Sequence, residues 1–348
     1  MTRLTRAAGA LLAAAPVVAA AVGAAPGSTA PAANELDIYF IDVEGGQSTL
    51  VATPAGESFL IDAGYAGFNR RDPERIVAAA RAAGITRIDY LLVTHFHGDH
   101  AGGVPELAKR LPIRVFVDHD STVPGDRNAA PVVDAYAPIR AFGRHIVPKP
   151  GDRLPLTGVE VRVVSSGGDT IRTAVSGDGE PNRACEASAR EPGEPLENPR
   201  STGVILRYGK FRFVDLGDLT GKPLFAVFCP DNLLGHADVY LVPHHGGADA
   251  VAPWTFALQP RVAILNNGEN KGGAPEAFTA LRQARGIEDV WQLHESRASG
   301  AQNFADARVA NLDETTAHWI KVSAFEDGSF AVTNGRTGEV KRYGAARP

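Results

Sequence analysis

Ile88-Asp89-Tyr90-Leu91-Leu92-Val93-Thr94-His95-Phe96-His97-Gly98-Asp99-His100 runs from an apolar stretch straight into four potential metal donors. Ile88 to Val93 is almost continuously hydrophobic, which predicts a strand buried on both faces. His95, His97 and Asp99 follow at alternate positions, and in extended backbone alternate side chains project to the same side. His100 adds a further donor, and Gly98 allows a fold tight enough to turn Asp99 and His100 back toward one centre. Imidazole nitrogen and carboxylate oxygen are standard zinc ligands and also suit manganese or iron. Lone histidines are common on solvated loops, but four such donors in six residues at a strand end point to a metal.

Outward from this segment the pattern alternates. Short β-rich runs at 36–41, 48–52 and 59–61 are punctuated by Glu44-Gly45-Gly46 and Asp62-Ala63-Gly64. Residues 72–83 have helical spacing, with Asp72 as N-cap and Pro73 at the first helical position. After the His-rich segment come a helix at 104–110 and a strand at 113–117, and strand–helix–strand order argues for an α/β sandwich. The stretch 165–200 is rich in Gly, Pro and charge and contains Cys185; a loop this long reads as a lid or surface excursion. Strand grammar then resumes at 204–208, 211–216, 239–242 and 262–265. A helix at 275–285 precedes Val290-Trp291, and 319–324 with 330–333 forms a closing hairpin across Asp327-Gly328.

Composition bounds the class. The chain has 348 residues, 44% hydrophobic and 22% charged, ordinary values for a globular protein with a substantial core. Arg3 and Arg6 precede an Ala-rich apolar run to about Val22 and a small-residue exit at Ala24-Ala25-Pro26, the pattern of a secretory signal peptide. Residues 1–33 are therefore expected to be a signal peptide and flexible leader, 34–348 one hydrolase domain, and the location periplasmic or extracellular. No membrane span is expected after cleavage. Loss of Arg3 and Arg6 moves the formal charge from −5 to −7. An acidic body does not favour nucleic acid, whose binding rests on neutralising phosphates. Export makes Cys185 and Cys229 candidates for a disulfide.

The segment His95 to His100 resembles the HxHxDH signature of the metallo-β-lactamase superfamily. Leu216-Gly217-Asp218 resembles that superfamily's Gly-Asp element, and Val242-Pro243-His244-His245-Gly246-Gly247 its later histidine element. Ile41-Asp42-Val43-Glu44-Gly45-Gly46-Gln47-Ser48, Ile61-Asp62-Ala63-Gly64 and His244-His245-Gly246 look like the soluble hydrolase domain of ComEC-type DNA-uptake proteins, and like secreted phosphodiesterases related to phosphorylcholine esterase. The resemblance covers most of the chain from Leu36 to about Gly268. It implies a four-layer αββα sandwich with the site at one edge between two sheets.

It also implies roles. His95 and His97 would bind one metal, Asp99 and His100 the other, and Asp218 would bridge them; one of His244 or His245 would complete the second site and the other could face substrate. Asp99, Asp218, His244 and His245 are then the catalytic candidates, with Zn2+ (one or two ions) or alternatively Mn2+ or Fe. One departure stands out. The superfamily often supplies a third histidine to the first metal from a strand end between the two main motifs, and Val163 to Asp169 contains none; His119 and His145 are the alternatives. Asp62 reads equally as a turn cap or as a hydrogen-bond partner of a ligating histidine. Asn266-Asn267-Gly268 and His294 read chiefly as turn chemistry, and Arg200 and Ser201 are weak candidates for an anion contact.

The resemblance favours a phosphodiester or related phosphate ester as substrate. A lactone or β-lactam-type acyl hydrolase would use the same chemistry, and the missing histidine leaves room for a catalytically weak metal-containing binding protein. Fold alone does not decide between them.

Overall fold

The computed structural model describes residues 34–175, 179–187, 196–249 and 252–345; the expected signal peptide and leader, 1–33, lie outside them. Two nine-stranded sheets run side by side. The first has the spatial order Val340–Tyr343, Phe330–Asn334, Ile320–Ala324, Leu36–Phe40, Thr49–Ala52, Ser58–Ile61, Ile88–Leu92, Ile113–Val117, Arg144–Ile146. The second runs Val309–Asn311, Asp289–His294, Val262–Leu265, Val239–Leu241, Phe211–Asp215, Gly203–Tyr208, Glu160–Ser166, Arg153–Leu154, with Asp169–Thr170 paired to one end of Glu160–Ser166.

Period-2 alternation sorts the side chains into layers. Leu36, Ile38 and Phe40 point into a central core with Leu206, Phe213, Val239 and Ile264 from the opposite sheet. Tyr39, Ile41, Leu50 and Leu60 face the other way and are covered by Ile76 and Ala80 of the helix Arg71–Ala82 and by Leu107 and Tyr136. On the far side Ile205, Val214, Tyr240 and Ala263 are covered by Leu224 and Phe228 of Gly221–Phe228 and by Phe278 and Leu281 of Pro275–Gln283. Helix, sheet, sheet, helix is the expected four-layer α/β sandwich.

Local differences from the sequence reading have physical causes. The first helix starts at Arg71, not at an Asp72 N-cap. Asp72 instead sits in the first turn, where its Oδ2 accepts the Tyr65 amide at 2.7 Å. The helix expected at 104–110 ends at Leu107. Helices Ala130–Arg140 and Gly221–Phe228 were not expected from the sequence pattern. The excursion after Ser166 is anchored: Cys185 and Cys229 form a disulfide with an S–S distance of 2.09 Å. Among the described residues no helix is long and apolar enough to cross a membrane.

The strand directions fix where chemistry can occur. Ser58–Ile61, Ile88–Leu92 and Ile113–Val117 are parallel neighbours, as are Phe211–Asp215, Val239–Leu241 and Val262–Leu265. Parallel strands put all their carboxyl ends on one edge, the usual place for a ligand. Asp62, the His95 segment, Asp218 and His244-His245 each follow such an end.

Candidate metal centre

The first sheet's contribution is held from behind by Asp62. Its Oδ1 accepts the Thr94 amide at 2.8 Å and its Oδ2 the Thr94 hydroxyl at 2.7 Å. The same Oδ2 lies 2.7 Å from His100 Nδ1, which leaves His100 Nε2 aimed into the cluster. Asp62 thus acts on a histidine and caps the strand end together, so the two sequence readings of this residue are both met. The second sheet is brought up by Gly217, whose φ of +56° would be strained in other residues and whose added Cβ would stand 2.8 Å from Thr94 Cβ. The Gly217 carbonyl accepts the His244 amide at 3.1 Å, joining the Asp218 turn to the histidine turn.

Asp99, His100, Asp218 and His245 each offer one donor atom, and these atoms all lie within 4.8 Å of one another. His100 Nε2 is 3.2 Å from Asp218 Oδ2 and 3.4 Å from Asp99 Oδ2. His245 Nε2 is 3.2 Å from Asp99 Oδ2 and 3.4 Å from Asp218 Oδ2. His95 Nε2 lies 3.9 Å from Asp218 Oδ2 and 3.0 Å from His97 Nδ1, and His244 Nε2 also lies 3.9 Å from Asp218 Oδ2. Asp218 Oδ2 is therefore within 3.9 Å of His95, His100, His244 and His245, while His97 joins the group through His95 and has its Nε2 3.7 Å from Asp126 Oδ2.

The adjacent histidines divide. His244 and His245 both have left-handed backbone, φ 51° and 54°, an uncommon state for non-glycine residues that tends to occur at functional sites. His245 joins Asp99 and His100, whereas His244 meets Asp218 Oδ2 at 3.9 Å and turns its Nδ1 to Asp249 Oδ1 at 2.9 Å. The two substitutes considered from sequence are engaged elsewhere. His119 Nε2 is 3.2 Å from Glu197 Oε2, and His145 Nε2 is 2.9 Å from Asp118 Oδ1.

The donor set calls for a cation. Asp218 Oδ1 is buried without a hydrogen-bond partner, and buried carboxylates are costly unless compensated. Burial would lower the pKa of His100, yet Asp218, Asp99 and Asp62 hold it well above the usual histidine range. A proton on His100 then stands among three carboxylates. Burial and the charge on His100 push His95 well below that range, which leaves its imidazole neutral and able to ligate. Asp218 stays ionised against its burial because His100 and His245 oppose it. The residues fit a divalent metal centre.

Four residues at the site were not singled out from sequence. Lys271 Nζ contacts Asp99 Oδ2 and lies 3.0 Å from Tyr65 OH. Gln47 Nε2 donates to Asp215 Oδ1 at 3.0 Å, crossing between sheets. Glu197, fully buried, accepts the Phe96 amide at 3.2 Å, the Thr122 hydroxyl at 2.6 Å and the Val123 amide at 2.8 Å. It thereby pins the backbone between His95 and His97. Its neighbour Asn198 reaches His244 Nε2 at 3.3 Å. The returning arm of the excursion is thus fastened to the metal segment, which no local pattern in a Gly/Pro-rich stretch would reveal. Arg200 donates to the Ser121 carbonyl at 2.9 Å, serving the same fastening. Asn267 spans Gly268 O and His294 O, both at 2.9 Å, which is turn chemistry. A second acidic cluster, Asp42 and Glu44 with His294, already contains a cation, since Arg75 reaches Asp42 Oδ2 at 2.7 Å and Glu44 Oε1 at 3.0 Å.

Two outcomes follow for residues behind the cluster. Asp62→Ala is expected to weaken metal binding by about 10–100-fold, the usual effect of removing the group that orients a ligating histidine, as read by metal titration. An unchanged affinity would sink that role. Glu197 is brought down to about 2 from 4.5: burial opposes the shift, and the contacts from His119 and Thr122 prevail. A depressed carboxyl pKa contributes stability that is present above the unfolded value and lost as pH falls from 4.5 toward 2. Glu197→Gln should cost on the order of 3 kcal/mol at neutral pH and flatten the acid limb in that window, measured by denaturant unfolding at several pH values.

A centre of buried carboxylates and imidazoles at the joined carboxyl edges of two sheets, inside an αββα sandwich, defines the class as a metal-site sandwich protein. The family model described as Metallo-beta-lactamase superfamily matches residues 41–179. Asp218, His244 and His245 lie beyond the matched range, and it is the fold that brings them to His95 and His100. Similar proteins include a hydroxyacylglutathione hydrolase of Alkalilimnicola ehrlichii, 46% identical over 54 residues, 16% of this chain and 21% of that protein. A UPF0173 metal-dependent hydrolase of Cupriavidus taiwanensis is 32% identical over 109 residues, 31% of this chain and 35% of that protein. The chain therefore matches these two curated relatives over about a fifth and a third of their lengths. Among solved structures, the metallo-beta-lactamase fold protein YhfI from Bacillus subtilis aligns over 82% of this chain and 99% of its own, with TM-score 0.46 and 10% identity.

Proposed function

We propose that the protein is a metal-dependent hydrolase whose substrate is a phosphodiester or related phosphate ester. The observation that carries this reading is the gathering of His95, His100, His244 and His245 within 3.9 Å of Asp218 Oδ2, with Asp99 beside His100 and His245. Such an arrangement suits a pair of cations, and two-metal centres serve in-line displacement at phosphorus. Bound divalent metal would polarise the substrate and bring the pKa of a coordinated water to about 7. The chain's own residues supply the rest. Asp62 fixes the tautomer of His100 by accepting its Nδ1 proton, and Glu197 holds the Phe96 amide and so the spacing of His95 and His97. Lys271 and His244, with side chains 42% and 29% exposed, are the solvent-facing members of the cluster, where an anionic substrate would meet positive charge or a proton donor.

An acyl substrate is the second reading, favoured by the local identity to proteins named hydroxyacylglutathione hydrolase. Purified protein loaded with Zn2+ or Mn2+ should hydrolyse bis-p-nitrophenyl phosphate. Turnover of nitrocefin or a thioester alone would move the assignment to the acyl class, and tight metal binding with no turnover of any of them would favour a binding protein. Export belongs to the same proposal. It is supported by the basic-then-apolar N-terminal pattern and by the Cys185–Cys229 bond, a linkage that persists in oxidising compartments.

A further inference from the structure

Lys271 is placed with little freedom. The turn that carries it is closed by a hydrogen bond from the Gly268 amide to the Lys271 carbonyl at 2.8 Å. The turn is seated on the histidine segment by the Gly273 amide, which donates to the His245 carbonyl at 2.8 Å. A Cβ at Gly45 would come within 2.9 Å of Lys271 Cβ, so the base of the side chain is packed as well. Its ammonium rests between Asp99 Oδ2 and Tyr65 OH, 3.0 Å from the latter. Asp99 Oδ2 also lies 3.4 Å from His100 Nε2 and 3.2 Å from His245 Nε2. A metal gathered by Asp99, His100, His245 and Asp218 would draw on that oxygen, which already holds a unit positive charge.

We propose that Lys271 is a resident cation that competes with metal for Asp99, so that the two halves of the centre fill unequally. The half built on His95 and His97 has no such competitor: among the described residues no lysine or arginine forms an ion pair with Asp218. The Asp99–His100–His245 half binds metal only as the ammonium leaves Asp99 Oδ2. Tyr65 OH offers Lys271 a neutral partner beside its present position, and the 42% exposed side chain has room to move toward solvent. The centre is therefore strong in one half and adjustable in the other. The inference rests on the metal-centre reading above but not on the choice of substrate.

The test is stepwise Zn2+ titration of the metal-free protein by calorimetry, with native mass spectrometry to count ions, for wild type, Lys271→Met and Lys271→Arg. Wild type should take up two ions in distinguishable steps. Lys271→Met should tighten the weaker step by about 10-fold or more, because a like charge is removed from contact distance, and leave the tighter step unchanged. Lys271→Arg, which keeps the charge, should retain the separation. A weaker step that is unchanged or further weakened in Lys271→Met overturns the proposal, since Lys271 would then support the site. Thermal unfolding of each metal-free variant shows whether the fold is intact. Failure of wild type to bind any Zn2+ would overturn the metal-centre reading itself, a result distinct from equal affinities in wild type and Lys271→Met.

Discussion

Asp218→Asn is expected to lower the metal content to at most one ion per chain and to reduce phosphodiester hydrolysis by about 100-fold or more, a loss typical of removing a charged group from the reaction centre. The argument is positional. Asp218 Oδ2 lies within 3.4 Å of both His100 Nε2 and His245 Nε2 and 3.9 Å from His95 Nε2 and His244 Nε2. Among the described residues no other carboxylate oxygen meets all four of these imidazoles. Asparagine keeps the shape but removes the charge, so the fold should survive: the side chain is only 3% exposed and the turn is held by backbone bonds from Gly217. Metal analysis together with initial rates checks both halves of the expectation. Near-normal rates with two bound ions would show that Asp218 is not the shared ligand.

Trp291→Ala should give the largest loss of stability, about 3–5 kcal/mol, the range for truncating a large buried aromatic. Trp291 is fully buried in the central core. Its indole Nε1 donates to Tyr343 OH at 3.1 Å, and Tyr343 belongs to the edge strand of the opposite sheet. The Arg308 guanidinium lies 4.5 Å above the ring. Truncation would open a cavity and leave these partners facing it. Urea unfolding should show the midpoint falling, with metal stoichiometry unchanged under native conditions. Trp291→Phe, which keeps most of the volume, should cost clearly less. Equal costs for the two variants would mean that the hydrogen bond, not the packing, carries the effect.

How much of this was readable beforehand follows from what each signal depends on. The buried strand at Ile88–Leu92 and the donors after it were legible because period and residue type are local. Asp218 and the His244-His245 pair were legible through resemblance to a known sequence element, though which histidine serves which side was not. That choice depends on two left-handed residues whose direction no composition reveals. Glu197, Lys271 and Gln47 were invisible for a different reason. Each is an ordinary polar residue in a turn or excursion, and acts on the site only through contacts more than one hundred residues away in sequence. The helix Ala130–Arg140 carries Pro131 in its first turn, where proline is tolerated, and Pro138 in its interior, and Tyr136 is its buried residue.

One consequence comes from the origin of the donors in both sheets. His95, His97, Asp99 and His100 belong to the first half of the chain, and Asp218, His244 and His245 to the second. A cation held among them would act as a cross-brace: the halves could not part without surrendering it. By mass action each tenfold rise of free metal above its dissociation constant then adds about 1.4 kcal/mol of resistance to unfolding. Endurance in a dilute, unprotected setting and readiness to react would be drawn from one and the same ionic reserve.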